Sequence, residues 1–104
     1  PKAYMVSDAH LDTQWNWDIQ TTIKDYVWNT ISQNLFLLKQ YPEYIFNFEG
    51  AVKYAWMKEY YPAQYEEMKK FIESGRWHIS GASWDATDTL VPSIESAIRN
   101  IMLG

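Results

Sequence analysis

The stretch YIFNFEG, Tyr44 to Gly50, decides the fold because it places a short strand between two long helical patterns. Tyrosine, isoleucine and phenylalanine are frequent in strands, and the glycine closes the run. A strand with a helix on each side is typical of α/β proteins, in which crossover helices join parallel strands. The patterns on either side of this strand therefore determine the class of fold.

The helix before this strand is predicted by an apolar stripe within TTIKDYVWNTISQNLFLLKQY, residues 21–41. Its apolar side chains recur at the spacing of one helical face. They are Ile23, Val27, Ile31, Leu35 and Leu38. Thr22 and Asp25 resemble a capping box at the start of the helix, and Pro42 stops it.

Two more strands are expected, one before and one after this central strand in the sequence. The apolar run Ala3 to Ser7 predicts a buried first strand, and RWHISGA, Arg76 to Ala82, predicts a third. The region from Ala51 to Ser74 has a helical pattern, in which Pro62 indicates a break or kink. After the polar loop SWDATDTLVP, a last helix is predicted from Ser93.

The resulting order is β-α-β-α-β-α with parallel strands. Three parallel strands leave two open edges, and parallel sheets normally have helices on both faces. The sequence therefore predicts an α/β segment of a larger (β/α) barrel-like catalytic domain, and it shows no domain boundary within residues 1–104. The open edges also predict self-association of the chain when it is isolated.

The composition restricts the possible partners. The chain has 104 residues, 47% hydrophobic and 17% aromatic, which is enough for a packed core. A net charge of -4, with nine dispersed lysines and arginines, indicates no nucleic-acid partner. No apolar run approaches the roughly 20 residues that span a bilayer, so no membrane partner is expected. Since the chain has no cysteine, histidine and carboxylates are its strong metal ligands.

Polar side chains gather where the three predicted strands end. His10 and Asp12 follow the first strand, Glu49 follows the second, and Asp85 and Asp88 follow the third. Ligands of α/β folds bind outside the carboxyl ends of the strands. If the first strand extends far enough, His10 and Asp12 point to the same side, as two ligands of one metal ion must.

Several of these residues also have structural interpretations. Asp88 in DATDT could form an Asx-turn, and Glu49 beside Gly50 could cap the next helix. Trp15 and Trp17 could either pack under the first helix or line a site. The residue types and spacings leave these alternatives open.

Three blocks in order carry a resemblance to a known family. They are HLDTQWNW (residues 10–17), FNFEGAVKYAWMKEYYP (46–62) and GRWHISGASWDATDTLVPSIESAIRN (75–100). Together they resemble the start of the catalytic domain of glycoside hydrolase family 38, the zinc-dependent α-mannosidases, particularly bacterial members. The resemblance covers essentially all of residues 1–104 and implies a partial family 38 N-terminal catalytic domain.

The resemblance implies roles for four residues. His10, Asp12 and Asp88 fall on ligands of one zinc ion, and Asp88 also falls on the nucleophile of a retaining α-mannosidase. Trp15 falls on a tryptophan that lines the sugar subsite. The family's fourth ligand, a histidine, and its acid/base aspartate match nothing in this chain, so another part of the domain would supply them.

The implied partners are a mannose-containing oligosaccharide and the rest of the catalytic domain. The isolated chain is therefore expected to bind zinc weakly and to be inactive. Two other functions remain open: a metal-dependent polysaccharide deacetylase-like domain, in which the metal activates water, and a non-catalytic carbohydrate-binding module.

Overall fold

The computed structural model describes residues 1–81 and 83–104, and it is a mixed α/β structure. Its strands are β1 (Asp8–Ala9), β2 (Phe46–Glu49) and β3 (Trp77–Ser80). Its helices are α1 (Ile19–Thr21), a π-helical segment (Thr22–Val27), α2 (Trp28–Gln40), α3 (Ala51–Tyr60), α4 (Pro62–Glu73) and α5 (Ile94–Leu103). None of the helices in these two ranges is long and apolar enough to cross a membrane.

The three strands form one parallel sheet in the order β1-β2-β3. Asp8 pairs with Asn47 in β2, and Glu49 at the end of β2 pairs with Ser80. The predicted α/β class and parallel arrangement are therefore confirmed. Because all strands run the same way, their carboxyl ends lie along one edge of the sheet.

The first strand differs from the prediction. It was expected at Ala3 to Ser7, but the strand comprises Asp8 and Ala9. Tyr4, Met5 and Val6 are 84%, 97% and 74% exposed. An apolar run is buried only where another element packs on it, and no described element covers this one.

The long helical region begins earlier than the sequence suggests. Asp18, rather than Thr22, is the N-cap, and its carboxylate accepts a hydrogen bond from Thr21 N at 2.8 Å. This backbone hydrogen bond lowers the pKa of Asp18. The five residues of the predicted apolar stripe are all buried. Pro62 begins α4 and separates it from α3, so the predicted break is confirmed.

The core lies between the helices and one face of β2. Phe46 and Phe48 point to this face, and the Phe46 and Trp77 rings form a T-shaped pair with 4.7 Å between centroids. The buried cluster comprises Val27, Ile31, Leu35, Leu38, Phe46, Phe48, Tyr54, Met57, Met68 and Trp77. Asn47 and Glu49, on the other face of β2, are half-buried. Within the part of the chain that the structure describes, the helices therefore pack on the face of the sheet that carries Phe46 and Phe48.

The third strand and the last helix agree closely with the sequence pattern. Ser93 is the N-cap of α5, and its hydroxyl accepts a hydrogen bond from Ser96 N. β3 begins one residue later than predicted, and Ala82 at the end of the predicted strand lies outside the described residues. No side chain of α5 is buried.

Candidate functional site

The parallel register brings two of the expected site residues together at the carboxyl edge of the sheet. His10 directly follows β1, and Glu49 is the last residue of β2. Since Ala9 pairs with Phe48, the residues that follow them in the sequence, His10 and Glu49, lie side by side. The distance between His10 Nδ1 and Glu49 Oε1 is 3.7 Å.

Asp12 approaches the same imidazole from the loop that follows β1. Asp12 Oδ1 lies 3.0 Å from His10 Nε2, and the two side chains are 43% and 72% exposed. Because β1 ends at Ala9, the curvature of this loop produces the contact, and not the alternation of a strand. The imidazole thus lies between two carboxylates that are accessible to solvent.

Asp88 has a different environment. Its Oδ1 accepts hydrogen bonds from Leu90 N at 2.8 Å and from Val91 N at 3.4 Å, which is the geometry of an Asx-turn. Across residues 1–81 and 83–104, no three His, Asp or Glu side chains form a group that could hold a metal ion. The structure thus brings His10 into contact with Asp12 and Glu49 but does not gather Asp88 with them. The metal-ligand roles stay a prediction.

The two tryptophans of the loop after β1 differ in their surroundings. Trp15 is 70% exposed. Trp17 is half-buried, its Nε1 donates to Thr22 Oγ1 at 2.8 Å, and its ring lies 4.6 Å from that of Tyr26. Trp17 therefore belongs to the packing under the first helical region, whereas the Trp15 ring is accessible to a ligand.

The loop that follows β3 caps the start of α3. Ala51 N donates to Ser83 O at 3.1 Å, and Val52 N donates to Trp84 O at 2.9 Å. Gly50 is the N-cap of α3, and within the described residues the Glu49 side chain bonds no amide of this helix, so Glu49 does not serve as its cap. The carboxylate of Glu49 is directed instead to His10.

Sequence reasoning missed a hydrogen-bond network that joins the loops after β1 and β3. Thr13 Oγ1 donates to Asp85 Oδ2 at 2.5 Å. The Asn100 side chain accepts from Asp85 N and donates to Asp85 O, both at 2.9 Å. The position of Asp85 shortly after a predicted strand could have marked it as a member of such a network. Nothing in the sequence pattern distinguishes Asn100 from any other polar residue of an amphipathic helix.

Two donors at this edge are of types that a divalent cation accepts, although the described residues form no group of three that could hold one by themselves. His10 supplies an imidazole nitrogen and Asp12 a carboxylate oxygen beside it, whereas Glu49 faces the other ring nitrogen. Zinc accepts nitrogen and oxygen ligands of these types. The exposed ends of these side chains leave them accessible from solvent.

Comparisons with known proteins agree over the whole chain. The family model described as "Glycosyl hydrolases family 38 N-terminal domain" matches residues 1–104. Alpha-mannosidase G of Dictyostelium discoideum is 31% identical over 99% of this chain and 9% of its own length. Human alpha-mannosidase 2C1 is 31% identical over 92% of this chain and 9% of its own length. An alpha-mannosidase of Saccharomyces cerevisiae is 29% identical over 97% of this chain and 9% of its own length. The chain thus spans 9% of the length of each of these relatives.

Proposed function

Since this chain belongs to glycosyl hydrolase family 38, we propose that it contributes to the active site of a retaining, zinc-dependent α-mannosidase that hydrolyses terminal α-linked mannose in glycans. The contact between His10 and Asp12 at the carboxyl edge of the sheet supports this proposal most directly. It places a nitrogen and an oxygen donor together in the region where α/β enzymes bind their ligands.

His10 and Asp12 are the proposed zinc ligands within this part of the domain, and Asp88 is the third. Zinc, when bound, supplies positive charge that favours the ionised carboxylate and accepts sugar hydroxyl oxygens as ligands. Glu49 lies on the opposite side of the imidazole from Asp12, 3.7 Å from Nδ1. A carboxylate on that side of the ring can orient a ligating histidine through its other nitrogen once it closes to hydrogen-bond distance.

Asp88 is the proposed nucleophile. The amides of Leu90 and Val91 hold Oδ1, so we assign the attack to Oδ2. This oxygen forms a bond to the anomeric carbon as the glycosidic carbon–oxygen bond breaks, and the departing oxygen takes a proton from an acid elsewhere in the domain. Water then hydrolyses the glycosyl-enzyme ester, which regenerates the Asp88 carboxylate.

Trp15 is the proposed sugar-binding residue within this chain. Its ring is 70% exposed, and it lies in the loop that also carries His10 and Asp12. The face of an indole makes apolar contact with the carbon–hydrogen surface of a sugar ring and does not compete for its hydroxyl groups. The substrate would thus be held between the carboxyl edge of the sheet and this ring.

The remaining ligand and the acid/base residue are proposed to come from other parts of the catalytic domain. A retaining glycosidase needs two carboxyl groups about 5 Å apart, and Asp88 supplies one of them. The isolated 104-residue chain should consequently show no mannosidase turnover.

The proposal is tested by trapping the intermediate on the complete natural protein that carries this chain. A slowly hydrolysed fluoro-mannoside should form a covalent adduct, and mass spectrometry should locate it on the peptide that contains Asp88. The variant Asp88→Asn should form no adduct and should lower kcat by about 10³-fold or more, since the nucleophile is removed.

Asp25→Asn is the matched control, because it makes the same change at an exposed position in the π-helical segment. It should keep normal activity. Release of acetate from an acetylated glycan without an adduct would favour the deacetylase-like function instead. Unchanged sugar affinity in Asp88→Asn, together with no turnover by the natural protein, would favour a carbohydrate-binding module.

A further inference from the structure

The loops after β1 and β3 are joined by a hydrogen-bond network of three side chains, Thr13, Asp85 and Asn100. The Thr13 hydroxyl donates to Asp85 Oδ2 at 2.5 Å, although the two residues are 72 positions apart in the sequence. The other carboxylate oxygen of Asp85 accepts from Ala86 N at 2.8 Å. Both oxygens of this half-buried carboxylate are therefore bonded within the two loops.

Asn100 fixes the backbone of Asp85 from the other side. Its side chain bonds both the amide and the carbonyl of Asp85, and its own carbonyl accepts from Trp84 N at 2.7 Å. Because Asn100 lies in α5, the helix that follows this loop, the loop is folded back on its own continuation. Three hydrogen bonds from one residue leave the Trp84–Asp85 peptide little freedom to move.

The first loop is held in the same network. Thr13 O accepts a hydrogen bond from Thr22 Oγ1 at 2.7 Å, and Thr22 is fully buried at the start of the π-helical segment. Thr22 Oγ1 in turn accepts from Trp17 Nε1 at 2.8 Å. The hydrogen bonds thus connect the buried Thr22 through Thr13 to Asp85 in the loop after β3.

The network lies next to the proposed catalytic groups in the sequence without including any of them. Thr13 follows Asp12 directly, and Asp85 precedes Asp88 by three residues. A shift of one loop against the other would change the distance between Asp88 and the His10–Asp12 pair. Reaction rates depend steeply on such distances, and a displacement of about 1 Å can cost roughly 10²-fold.

We infer that Thr13, Asp85 and Asn100 are positioning residues, which hold the loop that carries Asp88 in register with the loop that carries His10 and Asp12. This inference rests on the proposed function, because it assigns the network a task in the same reaction. None of the hydrogen bonds given above for these three side chains involves His10, Asp12 or Asp88.

The test uses the complete natural protein and two independent ways of breaking the network. Thr13→Val removes the hydroxyl and keeps the shape of the side chain, and Asn100→Ala removes the two side-chain bonds to Asp85. Each should lower kcat on an aryl α-mannoside about tenfold or more and leave KM within about twofold, since the loss is one of alignment. Thr13→Ser retains a hydroxyl and should restore most of kcat.

Hydrogen exchange on the metal-free protein gives a second readout. Thr13→Val should accelerate amide exchange in residues 83–91, which belong to the other loop, because the hydrogen bond that joins the loops is lost. Thr30→Val, in α2, is the matched control and should change neither kcat nor this exchange.

The possible outcomes separate the two proposals. Normal kcat in both Thr13→Val and Asn100→Ala would overturn the positioning role, as would equal losses in Thr13→Val and Thr13→Ser. A natural protein without mannosidase activity would overturn the proposed function. In that case, unchanged exchange in residues 83–91 of Thr13→Val would also overturn the network as the link between the loops, and faster exchange would support it.

Discussion

Tyr54 joins two polar groups of the core in one chain of hydrogen bonds. Trp77 Nε1 donates to Tyr54 Oη at 3.0 Å, and Tyr54 Oη donates to Phe48 O at 2.7 Å. Tyr54→Phe removes the hydroxyl and leaves the indole nitrogen and the carbonyl unpaired inside the core. The free energy of unfolding should fall by about 1–3 kcal/mol. Tyr41→Phe, at a 49% exposed tyrosine, is the control and should change it by less than about 0.5 kcal/mol in urea unfolding.

The stability of the wild type and that of Tyr54→Phe should respond differently to alkaline pH. Burial raises the pKa of Tyr54 from its ordinary value of 10.0 to about 12. The pKa of Tyr54 is higher in the folded protein than in the unfolded chain. The stability that the protonated hydroxyl contributes is therefore complete below pH 10 and is lost as the pH rises through about 12. The difference in unfolding free energy between the wild type and Tyr54→Phe should therefore narrow between these values. A constant difference would contradict the buried position of the hydroxyl.

The site was only partly predictable from single residues. The spacing of His10 and Asp12 marked them as a candidate pair, but the loop after β1, and not the alternation of a strand, brings them together. The DATDT composition allowed the Asx-turn that Asp88 forms, but it did not exclude a ligand role. The bonds of Asn100 to Asp85 could not be predicted, because they depend on how a loop folds back on the following helix.

The π-helical segment shows how an element can differ from its sequence pattern. Ile23, Val27 and Ile31 recur every four residues, and in an α-helix such residues rotate by about 40° at each step. In the wider turns of Thr22–Val27 four residues fall short of a full turn, which offsets this rotation and keeps the stripe facing the core. The stripe was enough to predict a helix and its buried face. The hydrogen bonds of Thr22 to the preceding loop, which hold the first wider turn, are contacts that no periodicity reveals.

The turn between β2 and α3 depends on a glycine at positive φ. Gly50 has φ +86°, and a Cβ there would lie 3.2 Å from Lys53 Nζ, whereas Gly75 has φ +75° with no neighbour within 4 Å. Gly75→Ala should cost about 1–2 kcal/mol in backbone strain alone. Gly50→Ala should cost about 1 kcal/mol more, since Lys53 is 3% exposed and its displacement disturbs packed neighbours. Urea unfolding of both variants measures the difference, and equal losses would show that Lys53 yields without cost.

At the scale of the whole molecule, the chain buries one face of its sheet and leaves other apolar surface open. The sheet has β1 and β3 as its edges, and α5 has no buried side chain. The large apolar residues of α5 are 52–82% exposed, and they are Ile94, Ile98, Ile101, Met102 and Leu103. Apolar surface that is contiguous in this way is typical of an interface, and it favours association when nothing else covers it.

The isolated 104-residue chain is therefore predicted to self-associate through α5. Sedimentation velocity should show a weight-average sedimentation coefficient that rises with protein concentration. Ile98→Glu places a charge in the apolar face of α5 and should shift the population toward the monomer, because a buried unpaired carboxylate costs several kcal/mol. Gln33→Glu adds the same charge at an exposed position of α2 and should leave the association unchanged. If the wild-type chain sediments as a monomer at all concentrations, the exposed face of α5 does not drive association, and its burial is not required for solubility.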